Sequence, residues 1–109
     1  MMDEANYSKS VKQVFSRLVK AIDAADPDLL DADSTGDMVT VTSMKTQEKV
    51  VVNTQRAVRQ IWVAGKGQGL HFSPSPDGRW LDDKGQGREL LSWVKECVAE
   101  AAGVTLDLG

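Results

Sequence analysis

The sequence predicts an α+β fold, a two-layer sandwich with two helices packed on one face of an antiparallel sheet of about six strands. Three observations carry this. Apolar residues recur at helical spacing near both ends of the chain. Between those ends the period drops to two. Short polar turns rich in glycine and proline join the middle segments.

The first helix is expected from Tyr7 or Ser8 to Ala25. Tyr7, Val11, Val14, Phe15, Leu18 and Ile22 lie on one face, and Lys9, Lys12, Gln13, Ser16, Arg17 and Lys20 on the other. Asn6 or Ser8 can cap its start. Pro27 ends it, because proline lacks a backbone donor and restricts Asp26. Strands are expected at 30–33, 38–42 and 49–53, joined by Thr35-Gly36-Asp37 and Lys45-Thr46-Gln47. Three more are expected at 59–64, 70–73 and 79–82. Short connections make the set an antiparallel meander. The last helix runs from about Arg88 to Ala102, with Leu90, Leu91, Val94, Cys97, Val98 and Ala101 inward and Trp93 at the edge of that stripe. Gly103 stops it, and the apolar tail Val104–Leu108 is expected to pack back onto the body.

A chain of 109 residues forms one domain, residues 1–109, with no room for a large internal cavity. Apolar runs as short as Val50-Val51-Val52 fall far below the roughly 20 residues of a membrane span. The start, Met1-Met2-Asp3-Glu4, lacks the basic and apolar regions of a secretory signal, so a cytoplasmic location is expected. One cysteine, Cys97, excludes an intrachain disulfide. A net charge of −3 disfavours nucleic acid, whose phosphates call for a basic face.

The charge is segregated. Between Ala21 and Met44 there are six acids, Asp23, Asp26, Asp28, Asp31, Asp33 and Asp37, and no Lys or Arg. Such a stretch is either a solvated loop with capping aspartates or a partner surface. Asp23 and Asp26 are three apart at a helix end, and Asp31 and Asp33 two apart in a strand, so each pair shares a face. If the strand lies beside the helix end, these four form an open acidic ridge with Asp28 between them. Carboxylates are hard ligands that suit iron, manganese, magnesium or calcium, and an open ridge binds them weakly.

Other chemistry is sparse. His71 is the only histidine, and Cys97 lies on a buried stripe, so no nucleophile–base pair can be assembled. Gly65-x-Gly67-x-Gly69 precedes no helix and reads as a hairpin turn, not a phosphate loop. An enzyme is therefore not expected. Trp62 is the informative aromatic. Ile61 and Val63 belong against the helices, which turns Gln60, Trp62 and Ala64 to the open sheet face, with Asn53 and Gln55 alongside. There Trp62 either anchors a partner or covers the sheet edge.

The succession Val50-Val51-Val52-Asn53-x-Gln55, Gln60-Ile61-Trp62-Val63-Ala64, Gly69-Leu70-His71-Phe72 and Trp80 resembles the frataxins, most closely the bacterial CyaY type. With the α-β6-α order and the acid-rich first strand, the resemblance covers nearly the whole chain. It implies a role in iron–sulfur cluster biogenesis. Iron (Fe2+ or Fe3+) is expected at Asp23, Asp26, Asp28, Asp31 and Asp33, weakly held. The cysteine desulfurase is expected to dock on that ridge and have its activity modulated. Asn53, Gln55, Gln60 and Trp62 are expected to meet the assembly machinery, including the scaffold protein. The alternative is a purely protein-binding regulator of the desulfurase whose metal binding is incidental. The chain is read as a monomer, with oligomers arising only with iron. It departs from the family in having Ala57 where proline is frequent, and Val19 and Lys20 where acids stand late in the first helix. The positive charge of Lys20 should weaken cation binding.

Overall fold

The computed structural model describes residues 3–85 and 87–108. Helix α1 spans Glu4–Asp23 and α2 spans Leu90–Ala102. Between them run β1 (Leu30–Ser34), β2 (Met38–Ser43), β3 (Lys49–Gln55), β4 (Gln60–Gly65), β5 (Gln68–Pro74) and β6 (Trp80–Asp82). The strands form one sheet in chain order, and every neighbouring pair is antiparallel. α1 lies against β1 and β2, and α2 against β2, β3, β4 and β6. Both helices thus cover one face, as the periodicity predicts. No helix among the described residues is long and apolar enough to cross a membrane.

The two layers meet through the predicted stripes. Tyr7, Leu18, Val39, Val52, Ile61, Val63, Phe72, Leu90 and Val94 are all 0% exposed. Leu106 of the tail is 1% exposed, so the tail does pack back.

Several boundaries differ from expectation for local reasons. α1 starts a turn early because Asp3 is its cap, accepting the Asn6 N–H at 2.8 Å. It ends at Asp23, before Pro27, where the Leu29 and Leu30 N–H groups turn back to the carbonyl of Asp26 at 2.9 and 3.1 Å. Glu89 caps α2, its carboxylate accepting from the N–H groups of Leu91 and Ser92 at 2.9 and 3.2 Å. Arg59 lies outside β4. It closes a 3-10 turn, Arg56–Val58, with φ of 54°, and pairs with Glu4 at 2.9 Å. Trp93 is buried rather than at an edge, with 1% exposed. The Arg88 guanidinium and the Lys66 ammonium lie 4.5 and 5.4 Å from its ring centre and cover the side that would face water. Lys66-Gly67 forms the tight β4–β5 turn with positive φ at both residues, the hairpin geometry expected of that glycine-rich segment.

Candidate interaction face and acidic edge

Strand alternation builds the candidate face. Ile61 and Val63 are 0% exposed toward the helices, so Trp62 between them projects from the other side of the sheet, where it is half-buried. Register places Asn53 opposite Trp62 on β3 and His71 opposite it on β5. Met38, opposite Asn53, extends the row to β2 and is 39% exposed. Met38, Asn53, Trp62 and His71 thus cross four strands, at about 4.8 Å per step.

The indole does not stand up from the sheet. It leans diagonally toward Gly69, where a Cβ would come 2.7 Å from its Nε1 and 3.0 Å from Cε2 and Cζ2. The His71 ring lies 6.4 Å away, centre to centre, tilted by 43°. A glycine floor and an aromatic wall therefore fix how Trp62 presents its face.

Gln60 is held from two directions. Its carbonyl accepts the Tyr7 hydroxyl at 2.6 Å, which ties β4 to α1. Its side-chain amide donates to Ser73 Oγ at 3.0 Å and to Asp83 Oδ2 at 3.4 Å. Gln55 faces Gln60 across β3 and β4. Asn53, Gln55, Gln60 and Trp62 therefore share one face of two adjacent strands.

The acids gather at the neighbouring edge. Leu30 and Ala32 of β1 pack on the core, so Asp31 and Asp33 alternate with them onto the Trp62 side of the sheet. They stand opposite Thr42 and Thr40. Asp23 comes from the last residue of α1, and Asp26 and Asp28 from the loop that follows. Asp26 Oδ1 accepts the Asp28 N–H at 2.9 Å. All five are exposed, and none forms an ion pair among the described residues. The ridge wraps around the edge strand, from the helix layer to the open face. Among the described residues no three His, Cys, Asp or Glu side chains converge to hold a metal ion, so the ridge is not a preformed cage.

Asp37, the sixth acid of the stretch, is otherwise engaged. Arg56 Nε reaches its Oδ1 at 2.8 Å, and Thr54 Oγ1 donates to the same oxygen at 3.0 Å. These bonds, the arginine's first, hold its carboxyl below the ordinary range. Cys97 is 1% exposed, and burial pushes its thiol up to about 11. That suits core packing and no nucleophilic role.

Sequence reasoning placed Trp62 and the glutamines but passed over Gly69, Met38 and the pairing of Trp62 with His71. The signal was available in the alternation of Gly69 and His71 along β5. The register between β4 and β5 was missing.

A family model of the frataxin-like domain matches residues 1–104. The iron-sulfur cluster assembly protein CyaY of Tolumonas auensis is 32% identical over 108 residues, covering 99% of this chain and 100% of the relative. The protein of the same name from Albidiferax ferrireducens is 36% identical over 98 residues, covering 84% of this chain and 87% of its own. The structure is similar to that of a solved frataxin from Psychromonas ingrahamii, with TM-score 0.87, 23% identity and 99% of each chain covered. The matched family model and these relatives, spanning helices, sheet and acidic edge together, place the chain in the frataxin-like family, among its CyaY-type members.

Proposed function

We propose that this chain is an iron–sulfur cluster assembly protein that docks on the cysteine desulfurase and scaffold machinery through its open sheet face and acidic edge. The observation that carries the reading is Trp62 laid on Gly69, flanked by Asn53 and His71, on the same face as Asp31 and Asp33. A half-buried Trp that fills no core cavity offers contact area at small entropic cost. The neighbouring carboxylates suit a basic partner patch and steer its approach.

Iron in this reading is cargo, held loosely by Asp23, Asp26, Asp28, Asp31 and Asp33 and passed on within the assembly. Exposed carboxylates without a converging set give weak, poorly selective sites. Docking therefore carries the function and metal loading modulates it. The chain acts as a regulator of the desulfurase, as a monomer, and needs no catalytic group of its own.

The test separates the two components. Desulfurase binding is measured in physiological salt before and after chelation, beside an NMR titration with ferrous iron. Docking that survives chelation, with iron shifts at Asp23, Asp26, Asp31 and Asp33, is expected. Docking lost on chelation, or iron shifts centred on His71, contradicts the reading.

A further inference from the structure

The helical side of the molecule carries a second surface of opposite sign. α1, α2 and the β5–β6 turn enclose a groove of about 890 Å³, whose walls include Lys9, Lys12, Gln13, Trp80, Leu91 and Lys95. Its floor is apolar and fixed. Trp80 is 2% exposed and donates its indole N–H to Ser10 Oγ at 3.1 Å. Its rim is cationic. Lys9, Lys12 and Lys95 are exposed and make no ion pair among the described residues. Two acids line the groove among the described residues: Glu89 is occupied in capping α2, and Asp107 stands at the tail end.

The chain's own tail borders one end of this groove. Asp107 and Leu108 of the tail line that end, Leu106 is buried, Thr105 and Asp107 are exposed, and Arg17 donates to the carbonyl of Leu108. A segment that alternates apolar residues with the polar Thr105 and Asp107 thus borders the open part. There Lys9, Lys12 and Lys95, with Arg17 and Arg79, outnumber the two acids of the lining on a protein of net charge −3. Charge complementarity selects an acidic occupant, and the apolar floor selects one with aliphatic side chains between its acids.

We propose that this groove docks an extended acidic peptide segment of a partner protein, its carboxylates on Lys9, Lys12 and Lys95 and an aliphatic side chain against the half-buried Leu91. The site is separate from the Trp62 face, so it leaves that face free for the machinery.

The probe is a fluorescein-labelled ten-residue peptide alternating Glu and Leu, titrated into the full chain and followed by anisotropy and amide shifts. Shifts are expected at residues 9–13 and 91–95. Affinity should fall at least about tenfold between 0.1 M and 1 M salt, as the screening length shrinks from about 10 to 3 Å. The triple variant Lys9→Glu, Lys12→Glu, Lys95→Glu should bind at least about tenfold more weakly, and Lys45→Glu with Lys84→Glu should stay within about twofold of wild type. If the triple variant melts early, Lys→Gln at the same three positions serves, with a smaller loss expected. A peptide of Glu and Ser with equal charge should bind at least about tenfold more weakly than the probe, because it offers the floor nothing. Equal binding of the two peptides, or shifts centred on Trp62, overturns the proposal. So does concentration-dependent self-association that the triple variant abolishes while the probe fails to bind, which would make a second copy of the chain the occupant.

Discussion

Trp62 and Gly69 are packed so closely that the indole occupies the space a β-carbon at position 69 would need, with Nε1 2.7 Å from that point. The glycine sits in β5 with no left-handed backbone to require it, so the requirement comes from the indole. Gly69→Ala should therefore push the ring off the sheet. Because the obstructing atoms are at the far end of a movable side chain, the fold survives. The Trp62 indole N–H resonance should move, and partner binding should weaken with little change in melting temperature. An unmoved indole resonance would contradict the packing described.

Gly65 makes a comparable contact with a different consequence. A Cβ there would lie 2.7 Å from Cys97 Sγ and 2.9 Å from its Cβ, inside the core between β4 and α2. Cys97 has no open side to retreat to, being 1% exposed. Gly65→Ala should destabilise by about 1–3 kcal/mol, as overpacked cores do. A denaturant melt of Gly65→Ala beside Gly69→Ala checks the contrast. With its thiol raised to about 11, Cys97 should also resist thiol reagents at pH 8 until the protein unfolds.

The acid limb of the stability curve should carry a signature of the β5–β6 turn. The Asp77 carboxylate accepts from the Ser75 hydroxyl, the Arg79 N–H at 3.1 Å and Arg79 Nε at 2.8 Å, which lowers its pKa from 3.8 to about 2. A folded value below the unfolded one stabilises above the unfolded pKa. That contribution is present above pH 3.8 and is lost as pH falls toward 2. A carboxyl NMR titration should give a midpoint near 2 for Asp77, rising toward the ordinary value in Arg79→Ala. A midpoint unchanged by Arg79→Ala would contradict the assignment.

Lys20 tests how far the acidic edge extends. It is exposed in the last turn of α1, three residues before Asp23. A fixed positive charge there opposes a bound cation. Lys20→Glu should tighten iron binding several-fold in a competition titration, without changing the melting temperature. Unchanged affinity would confine the cation to Asp31 and Asp33 on the β1 side.

The phase of β4 was legible because Ile61 and Val63 flank Trp62, and only one alternation puts two aliphatic residues inward. The same logic gave both helical stripes and the outward Asp31 and Asp33. Caps were harder, because Asp3 and Glu89 act by local hydrogen bonds that compete with equally plausible neighbours such as Asn6 and Ser8. The burial of Trp93 depends on Arg88 and Lys66 folding over it, a tertiary contact that spacing does not encode. The engagement of Asp37 by Arg56 likewise joins residues 19 apart and removes one acid from what reads in sequence as a run of six free carboxylates.

In the proposed function Trp62 serves contact and not the core, and Trp62→Ala measures this with two readouts on one variant. Truncating a buried aromatic costs about 3–5 kcal/mol, the loss expected for Trp93→Ala as the internal standard. Trp62→Ala should cost well under that by denaturant melt, while its affinity for the desulfurase or the scaffold falls at least about tenfold, as for an interface anchor. A melt as damaged as that of Trp93→Ala, with partner affinity intact in the folded fraction, would instead make Trp62 a core residue.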